Sequence, residues 1–92
     1  MIIEYNETKR EKTLLERGLD FRCAVEVFAD RHFTAPDHRA RYPEPRFVTV
    51  GHLRGRMVIV VWTHRGEARR IISMRKANER EKRRFRCQLA GS

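Results

Sequence analysis

Ninety-two residues, 40 % hydrophobic and 36 % charged, make one small domain, expected to span 1–92, with a thin core. The formal net charge of +9 is unevenly placed: residues 1–30 hold five basic and seven acidic side chains, residues 31–92 sixteen and five. No apolar run approaches the roughly 18 residues of a membrane span, and Met1-Ile2-Ile3-Glu4 lacks the basic and apolar regions of a signal peptide. Cys23 and Cys87 have no metal-type spacing, so a cytoplasmic protein with two reduced thiols is expected.

Ile2 to Tyr5 is a short apolar strand. Asn6 caps a helix that runs to about Arg17, and Gly18 ends it. Its interior is charged, so its apolar contacts are expected mainly from Leu14 and Leu15. Asp20 caps a second helix, on which Phe21, Ala24, Val25 and Phe28 fall at i, i+3, i+4 and i+7, a core-facing stripe. Residues 34–45 contain three prolines and are expected to be loop throughout.

Three strands follow. Arg46 to Leu53 alternates and is β-branched. Met57 to Thr63 is continuously apolar, hence central in the sheet, and Ala68 to Lys76 alternates arginine with apolar residues. Arg54-Gly55 and Arg65-Gly66 join them as tight turns of an antiparallel meander. The last helix, Asn78 to Leu89, opens with Asn78 and Glu81 at capping-box spacing and is anchored by Phe85 and Leu89. The expected fold is α+β: two N-terminal helices, an antiparallel sheet of three to four strands and a C-terminal helix. The first two helices would cover one sheet face and leave the other, or its edge beside the last helix, basic.

The most informative stretch is Arg65 to Arg86, with ten Lys or Arg against three Glu. A strand that carries guanidinium groups on a rigid sheet is suited to a phosphate backbone, so a nucleic acid is the expected partner. Strict alternation places Arg69, Ile71, Ser73 and Arg75 on one face of that strand and Arg70, Ile72, Met74 and Lys76 on the other. With Ile72 and Met74 in the core, Ser73 and Arg75 face outward, while Arg70 and Lys76 reach around the strand ends. Four His and two Cys form no recognised zinc spacing, and no metal or other cofactor is expected.

An ordered set of short motifs then points to a family. It comprises Tyr5-Asn6-Glu7-Thr8-Lys9, Gly18-Leu19-Asp20-Phe21, Val27-Phe28-Ala29-Asp30, Asp37-His38 and Glu44-Pro45-Arg46-Phe47 with Val50-Gly51. The closing block, Arg70-Ile71-Ile72-Ser73-Met74-Arg75-Lys76-Ala77 with Glu81, is the most specific part. Taken together the chain resembles a BrnT-type toxin of bacterial type II toxin–antitoxin systems. Asn6 stands where the family usually has Asp, and Arg17 where a His usually precedes the glycine. The resemblance implies a RelE-like ribonuclease fold and metal-independent RNA cleavage that halts translation. It also implies a BrnA-like antitoxin with a ribbon-helix-helix DNA-binding domain, which forms a hetero-oligomer with the toxin and through which alone operator DNA is reached.

Metal-free RNA cleavage requires a base for the 2′-OH, fixed cations for the pentacoordinate phosphate and an acid for the leaving 5′-oxygen. Candidates for the chemistry are Arg70, Arg75, Lys76, Ser73, Glu81 and Lys9; candidates for holding RNA are Arg65, Arg69, Arg46, His38, Arg80 and Arg83. Each has a simpler explanation: surface cations mostly solvate, Glu81 is accounted for by the cap, and a loop histidine is usually a bystander. The cluster as a whole favours phosphate binding. A non-catalytic nucleic-acid-binding module with a basic sheet face is the alternative, and a subunit that receives an acidic partner helix is a third. An antitoxin is expected on the basic strand and last helix, at Arg80, Arg83 and Arg84 beside Phe85 and Leu89.

Overall fold

The computed structural model describes residues 1–90; Gly91 and Ser92, the end of the expected single domain, lie outside the described residues. In chain order the elements are β1 (Ile2–Tyr5), α1 (Glu7–Arg17), a 3₁₀ turn (Phe21–Cys23), α2 (Ala24–Ala29), β2 (His32–Pro36), β3 (Phe47–Leu53), β4 (Arg56–Arg65), β5 (Ala68–Lys76) and α3 (Glu79–Ala90). The strands form one five-stranded sheet in the order β1-β5-β4-β3-β2. The class is α+β, but the sheet is larger than three or four strands and is mixed. β1 runs parallel to β5, with Glu4 opposite Arg70, and the other pairs are antiparallel.

The fifth strand, β2, overlaps the segment expected to be loop at residues 34–36. His32–Pro36 pairs with Phe47–Gly51 across an irregular excursion. β2 is an edge strand, and an edge can tolerate a proline at its end because half its backbone groups need no partner. Thr34 and Thr49 hydroxyls lie 2.7 Å apart, and the buried Trp62 indole donates to Thr49 at 2.7 Å, so a short polar chain ties this edge to the centre.

α1 starts and stops as its sequence dictates. The Asn6 side chain accepts from the Lys9 amide at 3.0 Å, and Gly18 closes the helix with a left-handed φ of 69° while its N–H reaches the Leu14 carbonyl. Its apolar residues do not bind it to the core: Leu15 is 88 % exposed and Leu14 40 %. Polar contacts hold it instead. Arg10 bridges Glu7 and Asp20, and Arg17 donates to the Met74 carbonyl at 3.0 Å. That carbonyl is on the stretch of β5 beyond Ile71, where β1 has already ended.

Two cores lie on opposite faces of the sheet. Phe21, Ala24, Val27 and Phe28 pack on Val58, Val60, Trp62, Ile71 and Met74. Val25, expected in that stripe, is exposed and Val27 replaces it, because the segment begins as a tighter 3₁₀ turn that shifts the helical phase. On the other face Val50, Met57, Ile59 and Ala77 meet Leu89 of α3, flanked by Phe33, Val48 and Phe85. α3 covers only part of that face, and the remainder is the floor of a cleft.

Candidate active-site cleft

The cleft depends on a defect in β5. Val61 is opposite Ser73 but Trp62 is opposite Ile71, so Ile72 is an extra residue without a partner. Strict alternation therefore fails: Ala68, Ile71 and Met74 are the buried positions. Ile71 and Met74 both enter the first core, whereas Ile72 and Ser73 line the opposite side. Arg70, opposite Thr63 and bonded to Glu4, thereby comes to the same face as Ser73 and Arg75 rather than the reverse of it.

The cleft encloses about 350 Å³. Val48, Val61 and Ile72 floor it, and Arg46, Ser73, Arg75, Glu81 and the segment Asp37-His38-Arg39 surround it. The 37–46 segment is closed at its base: the Asp37 amide donates to the Arg46 carbonyl at 2.8 Å, and Thr63 donates to the Pro45 carbonyl at 2.6 Å. The Asp37 side chain, 1 % exposed, receives Nε and Nη2 of Arg39 at 2.8 and 2.9 Å. Those bonds hold its carboxyl at about 2. Arg46 lies over the Tyr42 ring at 4.0 Å, and its Nε–H is buried with no acceptor.

At the other wall Glu81 receives both ends of the Arg75 fork at 2.8 Å while also accepting from the Asn78 amide at 2.9 Å. Asn78 returns the bond, accepting from the Glu81 amide at 2.8 Å, so the expected capping box is present. The Arg75 guanidinium, then the cap, bring the Glu81 carboxyl down to about 2. Arg75 itself is held above the ordinary arginine range by the same contact. Along the free stretch of β5, Lys9, Thr13 and Arg17 of α1 lie against Ile72 and Ser73. Burial and then the positive charges of Arg46 and Arg70 lower the Lys9 pKa, so these three cations share one field.

Of the sequence candidates, Arg46, Ser73, Arg75, Glu81 and His38 line this cleft, Lys9 lines the adjoining groove against Ser73, and Arg70 lies on the same face of β5. Arg80 and Arg83 are exposed on α3, in a groove with Glu81 and Arg84. Three others stand apart. Arg69 is on the opposite face, over the rings of Phe28 and Trp62 at 4.5 and 4.3 Å. Arg65 ends β4 at an exposed turn, and Lys76 lines a separate hollow with Arg56 and Arg86. Asp37, Arg39 and Tyr42 are contributors that sequence reasoning left unassigned. Their signal was a buried-type Asp and an aromatic residue placed among arginines in an otherwise polar loop. Among the described residues no group of three or more His, Cys, Asp or Glu is gathered as for a metal ion, and no helix is long and apolar enough to cross a membrane. Cys23 and Cys87 are both free thiols.

The model of a family described as the ribonuclease toxin BrnT of type II toxin–antitoxin systems matches residues 5–81. No match was found among curated proteins. The matched span contains the three strands that floor the cleft, the closed 37–46 segment, Lys9 and Glu81. A match over most of the chain, with these elements inside it, places this protein in the BrnT family of type II toxin–antitoxin ribonuclease toxins.

Proposed function

We propose that the cleft cleaves RNA without a metal ion and so inhibits translation in the cytoplasm. A cognate antitoxin with a ribbon-helix-helix domain neutralises it and alone carries the pair to operator DNA. The observation that carries the catalytic part is that Arg46 and Lys9 line adjoining hollows that share Ile72 and Ser73, with Arg70 on the same face of β5. One carboxylate, Glu4, pairs with Arg70, and the buried Arg46 Nε–H has no acceptor. A site that holds cations together against repulsion is matched to an anion. A pentacoordinate phosphate carries more charge than the ground state, so such a site binds it more tightly than the substrate.

In this reading Arg46 and Arg70 receive the non-bridging phosphate oxygens. His38, whose imidazole nitrogen can accept a proton, takes the 2′-OH proton as the 2′-oxygen attacks phosphorus. Lys9, made more acidic than an ordinary lysine, protonates the departing 5′-oxygen. The products are a 2′,3′-cyclic phosphate and a free 5′-hydroxyl. Arg75, fixed in direction by Glu81, and the Ser73 hydroxyl hold the neighbouring backbone. Glu81 serves as the orienter of Arg75 rather than as base, since a carboxyl at about 2 has little proton affinity at neutral pH. Metal independence is supported by the state of the carboxylates lining the cleft: Asp37 and Glu81 are each engaged by a guanidinium, which competes with any divalent ion.

The test is cleavage of a structured RNA by purified protein in EDTA. Cleavage is expected to persist, and to fall by about 10²-fold or more in Arg70→Ala. Loss of activity with chelator that Mg²⁺ restores would defeat the mechanism. RNA bound tightly but left intact would make the cleft a binding module instead.

A further inference from the structure

A larger hollow, about 530 Å³, lies on the neighbouring face of α3. Its floor is Met57, Ala77 and Leu89, which belong to the second core. Its rim is Arg56, Lys76, Lys82 and Arg86, and among the described residues no carboxylate lines it. Arg56, Lys76 and Arg86 are exposed. None of them forms an ion pair among the described residues. Lys82 has only the exposed Glu79, at 3.1 Å, a pair of the kind that costs little to exchange.

We propose that this hollow is the anchor site for a segment of the cognate antitoxin that presents an apolar side chain flanked by carboxylates. The inference rests on the family assignment, which supplies the partner, and adds where it docks. An apolar centre inside a charged rim is the anatomy of a protein interface, whereas nucleic-acid surfaces are more uniformly polar. An apolar residue seated on Met57 and Leu89 extends an existing core. Its flanking carboxylates meet unpaired cations with donors to spare. The groove of Arg80, Arg83 and Arg84 offers charge as well, but its lining, completed by Asn78 and Glu81, has no apolar residue. The volume falls within the ~300–1,000 Å³ range in which anchors and small ligands are held.

The double variant Arg56→Glu/Arg86→Glu tests the site, with Arg80→Glu/Arg83→Glu as the matched charge change on the other groove. Antitoxin affinity is measured by titration calorimetry, and RNA cleavage by kcat at saturating RNA. The first variant should bind the antitoxin at least about tenfold more weakly with kcat within about twofold of wild type. A carboxylate-to-lysine exchange on the antitoxin segment should recover binding to it. In the wild-type complex, amide exchange should slow at residues 52–57 and 82–90, a readout that does not depend on a variant's folding. Antitoxin affinity unchanged in Arg56→Glu/Arg86→Glu, loss confined to Arg80→Glu/Arg83→Glu, or no protection at residues 52–57 would each overturn the proposal. If instead the wild-type toxin fails to bind the antitoxin at all, the partner assignment fails, and the docking site with it.

Discussion

Arg75 and Glu81 form a two-bonded fork, both contacts at 2.8 Å, and the same carboxylate closes the capping box of α3. One side chain thus ties the direction of a cleft arginine to the start of a helix. Arg75→Ala should leave the protein folded, because the box between Asn78 and Glu81 survives, while growth arrest on expression is lost. Glu81→Ala should lower stability by about 1 kcal/mol, the usual worth of a cap, and lower cleavage as well by releasing Arg75. Denaturant melts and cleavage rates on the two variants check both outcomes; full toxicity in a folded Arg75→Ala would remove Arg75 from the site.

Acid should weaken the fold through the same carboxylates. Asp37 and Glu81 are held at about 2, against ordinary values of 3.8 and 4.5. A depressed folded pKa means that the unfolded chain binds more protons as pH falls. The stability these groups contribute is therefore complete above about pH 5 and lost progressively down to about pH 2. Thermal melts between pH 7 and pH 2.5 should show this decline, and Asp37→Asn and Glu81→Gln should each make it shallower while starting from a lower melting temperature at pH 7. A variant that melts as wild type at pH 7 and declines as steeply would separate that group from the effect.

RNA affinity should fall steeply with salt, with log K linear in log[salt]. Each removal from the group Lys9, Arg46 and Arg70 should reduce the slope by about one phosphate contact. Lys9→Met should also cut the cleavage rate more than the affinity, since its proposed role is a proton transfer made only in the transition state. Affinity that does not change between low and physiological salt would contradict the electrostatic basis of the cleft.

The seat of α2 on the sheet admits no side chain at Gly51. A Cβ there would meet Val27 Cγ1 at 2.8 Å and the His32 Cβ at 3.1 Å. Gly51→Ala should cost about 1–3 kcal/mol as an overpacking change. For a domain of this size that lowers the melting temperature by several degrees per kcal/mol. An unaltered melting temperature would mean that α2 shifts freely on β3.

The sequence by itself determined what local chemistry controls. Asn6 and Gly18 bound α1, Asn78 with Glu81 starts α3, and glycine turns separate three strands whose β-branched runs leave them few other conformations. It also determined the sign of the surface and, through the ordered motifs, the family. Tertiary structure decided the rest. Residues 34–36, expected to be loop, became the end of strand β2 because an open sheet edge was available to pair them, which no local preference reveals. Leu14 and Leu15 stayed in solvent because Arg10 and Arg17 found Asp20 and the Met74 carbonyl. One unpaired residue, Ile72, moved Arg70 to the face of Ser73 and Arg75. Alternation along a strand is a local rule, but a bulge is set by the register of two strands distant in sequence, so the cleft exists only once β4 and β5 have paired.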